Sequence, residues 1–287
     1  MNRTIRRKIG TLVFAAGVFW WSLWIIFPPF PRLSCAASPR FPEQAAPLLS
    51  SFTTYFDQNN AARSHNIALC ARRLDGAIVP PDGEFSFNAV VGKRTKERGF
   101  LQAPVIFDGR FVAGVGGGVC QVSTTLYNAA LLAGLCVSEA HAHSLQVGYV
   151  RPSLDAMVSE YCDLKIKNPT TAPVAFRVSV ANGSVTAKVY GRASGCEYKT
   201  ESVSLAVLPP PQGKIVEGEE DALIRRSRTG LKSESYLSAY RHGRLAFRKR
   251  IRKDVYAAVG EIRQVKKTPE EGEEEKKEEE KEEPRER

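Results

Sequence analysis

A run of glycines that leads directly into a long apolar segment constrains the fold of this chain more than any other feature. The stretch Gly114–Leu135 reads GVGGGVCQVSTTLYNAALLAGL, and its one cysteine, Cys120, stands where the glycines end. The apolar residues that follow recur at helical spacing and extend round the circumference, which predicts a buried helix over Gln121–Ala133. The hydrophobic core must therefore form around a helix that begins at a flexible loop.

Runs rich in β-branched and aromatic residues predict strands on both sides of this helix. They lie at Leu49–Phe56, Glu84–Phe87, Ala103–Val112, Val137–Val150 and Asp163–Gly191, and as short pieces broken by Gly230 and Gly243 within Lys214–Arg263. A second helix is predicted over Ala61–Leu74, because Ile67, Cys70 and Leu74 recur at helical spacing. The expected fold class is α+β, with mixed strands around one buried helix that starts at the glycine-rich loop carrying Cys120, plus a small β-rich C-terminal unit.

The N-terminal segment has the pattern of a membrane anchor. Basic residues at positions 1–8 precede an apolar run at 9–31, whose length at about 1.5 Å per residue approaches the ~30 Å hydrocarbon core of a bilayer. Because the positive charges come first, residues 1–8 are expected in the cytoplasm and the body of the chain outside the cell membrane. The length of the run favours an uncleaved single-pass anchor, whereas cleavage as a signal peptide would yield a secreted protein.

Composition divides the remaining chain into four segments. A proline-containing linker at 32–48 leads into a domain at 49–200 that holds the glycine-rich loop. A small β-rich unit follows at 201–266, and the chain ends in a Glu/Lys-rich tail at 267–287. Since this tail has no aliphatic or aromatic side chains to bury, we expect it to be disordered.

The charge of the chain is unevenly distributed, and this bears on its partners. The total is +10, but the residues after 267 contribute −6, so the remainder carries +16. A basic surface outside a membrane favours polyanions, so anionic wall polymers and the stem peptides of peptidoglycan are the expected partners. Nucleic acid is not expected, because the chain has no nucleic-acid-binding motif.

Six cysteines are present, and none forms a CxxC pair. Structural zinc is therefore not expected, and no metal or other cofactor is predicted. An oxidising exterior would permit disulfides among Cys70, Cys136, Cys162 and Cys196. Four cysteines allow three pairings, and free buried cysteines are an equal alternative.

Cys120 stands where a cysteine can act as a nucleophile. The attacking species is the thiolate, and the unsatisfied N–H groups in the first turn of a helix lower the pKa of a thiol placed there. The glycines before it, Gly116, Gly117 and Gly118, have no Cβ and let backbone amides approach a substrate closely enough to hold an oxyanion. The alternative is structural, since a glycine-rich loop can be a tight turn and cysteine is a common small core residue.

Three polar residues of the predicted helix are candidates for binding the substrate. Gln121 follows the cysteine directly. Ser123 and Thr124 lie three and four residues after it, so that their hydroxyls share its helical face. Together with the glycines, these side chains would form a cradle around the nucleophile.

A general base for Cys120 is available just after the helix. His141 and His143 are two residues apart, which would put both on one face of a strand that returns beside the helix. Asp155 or Asp163 would then orient the imidazole, as the third member of a catalytic triad does. A metal site at the histidines is not expected, because no further ligands follow at a suitable spacing.

Four segments of the chain resemble the VanW domain family. They are FSFNAVVG at Phe85–Gly92, GGGVCQVSTTLYNAALLAGL at Gly116–Leu135, HS at His143–Ser144 and LDAMV at Leu154–Val158. The resemblance runs from about Phe52 to Gly191 and falls within the predicted domain at 49–200. It implies a membrane-anchored protein of the Gram-positive cell wall, in a family named after an accessory protein of vancomycin resistance.

The resemblance also implies an activity. Some members of the family are L,D-transpeptidases, in which a cysteine attacks a peptidoglycan stem peptide before its terminal D-alanine and the acyl group passes to the amine of a neighbouring stem. The family's cysteine corresponds to Cys120 and its downstream histidine to His143, and we expect Asp155 to complete the triad. Two alternatives stay open: an endopeptidase, in which water accepts the acyl group, and a non-catalytic module that binds peptidoglycan or a wall polymer, such as an accessory factor in glycopeptide resistance.

Overall fold

The structure is a computed structural model that describes residues 46–107 and 109–267. The predicted membrane segment at 9–31 and the predicted tail after residue 267 lie outside the described residues, as does most of the linker. In the described ranges, no helix is long and apolar enough to cross a membrane.

The described residues form a few helices and many strands, so the predicted α+β class is confirmed. The helices are α1 (Ala61–Leu74), α2 (Phe87–Val91) and α3 (Val119–Leu132), with a 3-10 turn at Lys96–Arg98. The strands are β1 (Leu48–Tyr55), β2 (Ile78–Val79), β3 (Glu84–Ser86), β4 (Gln102–Phe107), β5 (Arg110–Val115), β6 (Cys136–Glu139), β7 (Lys165–Lys167), β8 (Val174–Ala181), β9 (Ser184–Tyr190), β10 (Glu197–Leu208), β11 (Lys214–Gly218), β12 (Ala222–Arg225), β13 (Gly230–Arg241), β14 (Arg244–Tyr256) and β15 (Ile262–Lys266).

Helices α1 and α3 pack on an antiparallel sheet with the strand order β1-β9-β8-β2. Helix α3 contacts β1 and β9, and α1 contacts β8 and α3. Helix α1 begins after Asn60, whose side chain accepts a hydrogen bond from the Arg63 amide at 3.0 Å, as an N-cap residue does. It buries Ile67, Cys70 and Leu74, so the observed helix and its buried face agree with the prediction.

Helix α3 is the central element of the core. It begins at Val119, one residue before Cys120, and nearly all of its side chains are buried. The small residues Ala129 and Ala130 face no solvent, and the Ser50 hydroxyl of β1 donates a hydrogen bond to the Ala129 carbonyl at 2.6 Å. Because a helix that is apolar round most of its circumference is stable only inside a core, the sheets and α1 enclose this one.

The C-terminal part of the described chain forms two three-stranded sheets. One has the antiparallel order β10-β13-β14, and the other has the order β11-β15-β12 with β11 parallel to β15. Strands β13 and β14 are 12 and 13 residues long, so the expectation of short pieces is wrong here. Gly230 opens β13 instead of breaking a strand, and Gly243 lies in the turn between β13 and β14. The domain boundary predicted after residue 200 falls inside β10 and stays a prediction.

The strands predicted over Val137–Val150 form only in part. In this stretch β6 is a strand, and residues 140–163 are irregular apart from a bridge between His141 and Met157. His141 and His143 therefore do not share the face of a strand, as their spacing had suggested.

Polar side chains of α3 explain why residues 140–163 need no strand ladder. Asn128 donates to the Leu154 carbonyl at 2.7 Å, and Ser123 donates to the Ala156 carbonyl at 2.6 Å. Backbone groups that are buried must find partners, and here helix side chains supply them in place of a neighbouring strand.

Helix α2 begins where the strand Glu84–Phe87 was predicted to continue. The Ser86 hydroxyl accepts a hydrogen bond from the Ala89 amide at 3.1 Å, so Ser86 acts as the N-cap of a short helix. Phe87 is consequently the first helical residue, and its ring is fully buried.

The described cysteines form no disulfide. Cys70, Cys120, Cys136, Cys162 and Cys196 are all free, so none of the pairings that the sequence permits is present. In residues 46–107 and 109–267, no group of three or more His, Cys, Asp or Glu side chains has the arrangement of a metal site.

Candidate active site

The glycine-rich loop adopts a conformation that suits glycine at each of its three positions. Gly116 and Gly118 have φ values of +88° and +104°, in a region that residues with a side chain rarely adopt. Gly117 lies against β4, where an added Cβ would stand 2.6 Å from the Pro104 carbonyl oxygen. The loop can therefore turn sharply and place Cys120 in the first turn of α3.

The same loop offers backbone amides next to Cys120. The Val119 amide is used within the turn, where it donates to the Gly116 carbonyl at 3.1 Å. The amides of Gly117, Gly118 and Cys120 donate to no acceptor within the described part of the chain. Unused amides beside a nucleophile are the donors that a developing oxyanion requires.

Cys120 and His143 lie beside each other at the cavity. The half-buried Cys120 has its Sγ 3.5 Å from the Val158 amide nitrogen and 3.4 Å from the Val158 carbonyl oxygen. His143 is 7% exposed, and its imidazole acts on the pKa of the thiol. Its Nδ1 lies 2.6 Å from Oδ2 of Asp155, which leaves Nε2 for the sulfur.

Asp155 is fully buried and orients the imidazole. Its Oδ2 also accepts a hydrogen bond from the His143 backbone amide at 2.8 Å. Its Oδ1 accepts from Tyr256 Oη at 2.5 Å and from Arg252 Nη2 at 3.0 Å, and Arg252 donates to the Asp155 carbonyl at 2.8 Å as well. A carboxylate surrounded by these donors is held both in position and in its charged state.

Burial opposes both charges of the Cys120–His143 pair, but neighbouring groups outweigh it. Burial would raise the pKa of the Cys120 thiol, yet the hydrogen bond and charge of His143, with the Val158 amide and Arg94, lower it below its ordinary value. Burial would likewise lower the pKa of His143, yet Asp155 and the thiol raise it to about 9. The arrangement therefore favours a thiolate beside an imidazolium, which is the reactive form of a catalytic cysteine.

Arg252 and Tyr256 were not among the residues that the sequence predicted for this site. They lie on β14, 97 and 101 residues from Asp155, so no local motif connects them with the cysteine loop. One signal was available: Arg252, Asp254 and Tyr256 alternate along the strand and share a face, and Arg252 Nε donates to Asp254 Oδ2 at 2.7 Å. That pattern indicates a polar contact on this face without revealing its partner.

A cavity of about 1000 Å³ lies in front of Cys120. The predicted site residues that line it are Gly116, Gly117, Gly118, Cys120, Gln121 and His143. Arg63, Arg94 and Tyr149 line it too and were not predicted. Burial and the charge of Cys120 raise the pKa of Tyr149, so its phenol stays protonated and can donate a hydrogen bond to a ligand.

Gln121 supports one wall of the cavity. Its Oε1 accepts from Arg63 Nη2 at 2.6 Å, and its Nε2 donates to Thr54 Oγ1 and to the Tyr55 carbonyl at 3.0 and 2.9 Å. The side chain is almost completely buried. Its main contact towards the cavity is therefore with Arg63, which it orients.

Ser123 and Thr124 lie behind the site and do not line the cavity. Both are fully buried. Ser123 donates to the Ala156 carbonyl at 2.6 Å, and Thr124 accepts from the Ala156 amide at 2.9 Å. The structure thus gives them a supporting position that fixes the segment next to Asp155, in place of the predicted contact with substrate.

The alternative base, His141, and the alternative carboxylate, Asp163, have partners other than Cys120 and His143. His141 is partly exposed, and its Nε2 lies 3.0 Å from the Glu139 carboxylate. Asp163 accepts a hydrogen bond from the Asn88 amide at 2.9 Å. Asp155 is therefore the carboxylate that orients the imidazole.

Comparison with known proteins assigns the segment that carries the triad to a family. Residues 62–190 match the family described as VanW like protein, as the sequence resemblance predicted. The match includes Cys120, His143 and Asp155. Arg252 and Tyr256 lie beyond it.

Curated relatives match a similar part of the chain. The uncharacterized protein YoaR of Bacillus subtilis (strain 168) is 43% identical over 143 residues, which are 50% of this chain and 47% of that protein. The vancomycin B-type resistance protein VanW of Enterococcus faecalis (strain ATCC 700802 / V583) is 26% identical over 132 residues, which are 44% of this chain and 48% of that protein. The chain thus spans about half the length of the curated relatives it matches.

Among the solved structures that match is one described as the crystal structure of HP0197-G5. The match covers 25% of this chain and 99% of that chain, with 17% identity and a TM-score of 0.15. A TM-score of this size does not establish a shared fold.

Proposed function

We propose that this protein is an extracytoplasmic L,D-transpeptidase that acts on peptidoglycan stem peptides through an acyl-enzyme at Cys120. The observation that carries the proposal is the linked arrangement of Cys120, His143 and buried Asp155 in front of a cavity of about 1000 Å³. A cysteine that merely packs has no need of a buried imidazole and carboxylate, because burying ionised groups costs free energy. Strongly perturbed groups in a cleft are typical of catalytic sites.

In the first half of the reaction, the Cys120 thiolate attacks the carbonyl carbon that precedes the terminal residue of the stem. The resulting oxyanion accepts hydrogen bonds from the unused amides of Gly117, Gly118 and Cys120. When the tetrahedral intermediate collapses, the C–N bond breaks and the leaving amine takes a proton from His143. A thioester then remains on Cys120.

In the second half, the amine of a neighbouring stem attacks the thioester carbon. His143 takes a proton from this amine, the C–S bond breaks, and the Cys120 thiolate is restored. Asp155 stays ionised throughout and holds the imidazole in position. With water in place of the amine, the same residues would perform endopeptidase cleavage.

The N-terminal segment and the charge support a reaction outside the cell membrane. An uncleaved anchor at 9–31 would hold the body of the chain on the outer face of the membrane, within reach of the wall. The basic body suits stem carboxylates and anionic wall polymers. One relative carries the name of a vancomycin B-type resistance protein, which accords with a role in the cell wall.

The test uses the full-length chain, purified in mild detergent and incubated with disaccharide-tetrapeptide. Mass spectrometry should show loss of the terminal D-alanine and the appearance of a cross-linked dimer. Cys120→Ala should abolish both. Cys136→Ala is the matched control, because Cys136 is an exposed cysteine outside the cavity, and it should keep the activity.

Two other outcomes would redirect the proposal. Cleaved monomer without dimer, dependent on Cys120, would identify a peptidase in which water accepts the acyl group. No Cys120-dependent reaction in a folded sample would reject the enzyme and favour the module that binds peptidoglycan or a wall polymer without chemistry, which equilibrium binding to isolated wall fragments would then test.

A further inference from the structure

Of the three arginines that line the cavity, Arg228 is exposed, and the other two are half-buried and have no acidic partner within the described residues. Arg63 of α1 and Arg94 are both half-buried, and burial lowers the pKa of each guanidinium group. Within residues 46–107 and 109–267, neither has a carboxylate at ion-pair distance. In contrast, the half-buried Arg252 pairs with Asp155 and Asp254 at 3.0 and 2.7 Å.

The glycine loop runs between these two arginines. A Cβ added to Gly116 would stand 3.0 Å from Cβ of Arg94, and a Cβ added to Gly118 would stand 3.1 Å from Cγ of Arg63. The loop ends at Cys120, whose charge acts on both guanidinium groups. Two cationic side chains thus flank the unused amides that lead to the nucleophile.

Neutral side chains hold both guanidinium groups in place. Arg63 Nη2 donates to Gln121 Oε1 at 2.6 Å, and Arg94 Nη2 donates to Asn88 Oδ1 at 2.7 Å. An amide oxygen orients a guanidinium without neutralising it, and each bond uses one of its five N–H groups. The positive charge and the remaining donors are therefore available to a ligand in the cavity.

The Cys120 thiolate does not account for both positive charges. Its single negative charge also faces the imidazolium of His143, and Arg94 makes a smaller contribution to its pKa. One thiolate therefore cannot balance two guanidinium charges. Partial burial of unpaired cations is unfavourable until an anion joins them.

We propose that Arg63 and Arg94 form a carboxylate-binding subsite beside the nucleophile, so that the acyl donor is a peptide whose leaving residue carries a free α-carboxylate. The carboxylate subsite is inferred from the side chains that line the cavity, whereas its effect on the choice of acyl donor rests on the proposed acyl transfer. A planar guanidinium matches the geometry of a carboxylate and binds it with two parallel hydrogen bonds. Because an internal peptide bond has no charge at this place, the subsite would restrict attack to the bond before the C-terminal residue.

The first test needs no turnover. The full-length chain is alkylated with iodoacetate, which is an anion, or with its neutral analogue iodoacetamide, and modification of Cys120 is followed by peptide mass spectrometry. The exposed Cys136 of the same molecules is the reference. Since a change in thiolate content affects both reagents alike, the iodoacetate-to-iodoacetamide ratio at Cys120, divided by that at Cys136, reports anion binding.

We expect this normalised ratio to be about tenfold in favour of the anion, which is the size of one charge-assisted contact. It should fall towards one in the double variant Arg63→Gln/Arg94→Gln. Arg72→Gln is the matched control, because Arg72 is an exposed cation on the same helix and lies outside the cavity, and its ratio should be unchanged. Arg63→Lys keeps the charge and should retain part of the preference.

A second readout uses the wild-type chain alone. N-acetyl-D-alanine should slow the reaction of Cys120 with iodoacetamide, whereas N-acetyl-D-alanine carboxamide should not. If turnover of stem peptides is established, donors that end in a free carboxylate should have a lower KM than the same donors as carboxamides, and the double variant should remove that difference.

The outcomes separate this inference from the proposed function. A normalised ratio near one in the wild type, equal protection by the acid and the amide, or an unchanged ratio in a folded double variant would overturn the subsite. If the double variant does not fold, the two wild-type comparisons decide. A clear anion preference at Cys120 in a protein that turns over no donor would keep the subsite and reject the transpeptidase.

Discussion

The segment that matches the family, residues 62–190, and the hairpin of β13 and β14 contribute to the site in different ways. The first carries the thiol, the imidazole and the carboxylate. The second supplies Arg252 and Tyr256, which occupy one oxygen of Asp155. The thiol, imidazole and carboxylate thus belong to the segment of the family match, whereas their electrostatic support is completed by a strand outside it.

The hairpin makes this contribution with a small part of its surface. The side chains of β14 are largely exposed from Arg244 to Arg250 and become alternately covered towards the end of the strand. Lys253 and Val255 are exposed, while the side chains on the opposite face reach the segment around Asp155. Since successive side chains of a strand point to opposite faces, one face at the end of β14 suffices for the contact.

The largest effect is expected at the residue where the two regions meet. Asp155→Asn keeps the volume of the side chain but removes the charge that holds His143, which favours the wrong tautomer of the imidazole. We expect kcat for transpeptidation to fall by about 10³- to 10⁴-fold, as for the aspartate of a serine protease triad. Asp163→Asn is the control, a buried aspartate that contacts α2 instead. Activity of Asp155→Asn within tenfold of the wild type would contradict the triad.

Removing the support from the hairpin should have a smaller effect. Tyr256→Phe and Arg252→Gln each delete a hydrogen bond to the Asp155 carboxylate, which is worth about 1.5–3 kcal/mol for a charged acceptor. We expect each to lower kcat by about 10- to 100-fold with little change in KM. Arg248→Gln, on the same strand but paired with Glu201, should have no such effect.

The pH profile distinguishes positioning from a general loss of packing in these hairpin variants. Arg252 and Tyr256 help to lower the pKa of Asp155. Without them its pKa rises, so the acid limb of the kcat profile should move to higher pH. An unmoved acid limb together with reduced kcat would show that the hairpin acts through packing alone.

As the Cys120–His143 pair titrates, the rate of acyl transfer should change by about tenfold per pH unit. The thiolate is lost as the pH falls through the lowered pKa of Cys120, and the imidazolium is lost as the pH rises through about 9. We therefore expect the rate of acyl transfer to fall on both sides. Alkylation of Cys120 by iodoacetamide should persist at acidic pH, where an ordinary thiol with a pKa of ~8.5 is protonated; a pH dependence equal to that of Cys136 would contradict the pair.

The smallest effect is expected in the glycine-rich loop, where a substitution tests whether the backbone before Cys120 is held rigidly. In Gly117→Ala the new Cβ would stand 2.6 Å from the Pro104 carbonyl oxygen, a backbone atom of β4. We expect the free energy of unfolding in urea to fall by about 1–3 kcal/mol, as for overpacked sites. Gly148→Ala is the matched control in the same cavity lining, because its Cβ would meet no atom within 4 Å. Equal stability of the two variants would mean that the loop can move.

Local rules were sufficient for part of this molecule. Asn60 and the spacing of Ile67, Cys70 and Leu74 specify α1 within a dozen or so residues, and the glycines before Cys120 specify the start of α3. Capping, helical periodicity and positive φ are properties of neighbouring residues. They can be predicted without knowledge of the fold.

Local rules failed where side chains of one element satisfy the backbone of another. Residues 140–150 do not continue the predicted strand. Helical spacing placed Ser123 and Thr124 beside Cys120 in the cavity, but they lie behind it and bond to the backbone of Ala156. A pattern of apolar residues in the sequence does not identify the element that packs against them.

The sequence by itself determined the candidate nucleophile, the glycine loop that presents it and the α+β class, because each depends on backbone sterics and periodicity within one segment. Only the tertiary structure decided that Asp155 and not Asp163 holds His143, that Arg252 and Tyr256 bond to this carboxylate, and that the half-buried Arg63 and Arg94 face the cavity. The physical reason is that buried charges are stabilised by groups close in space, whatever their separation along the chain.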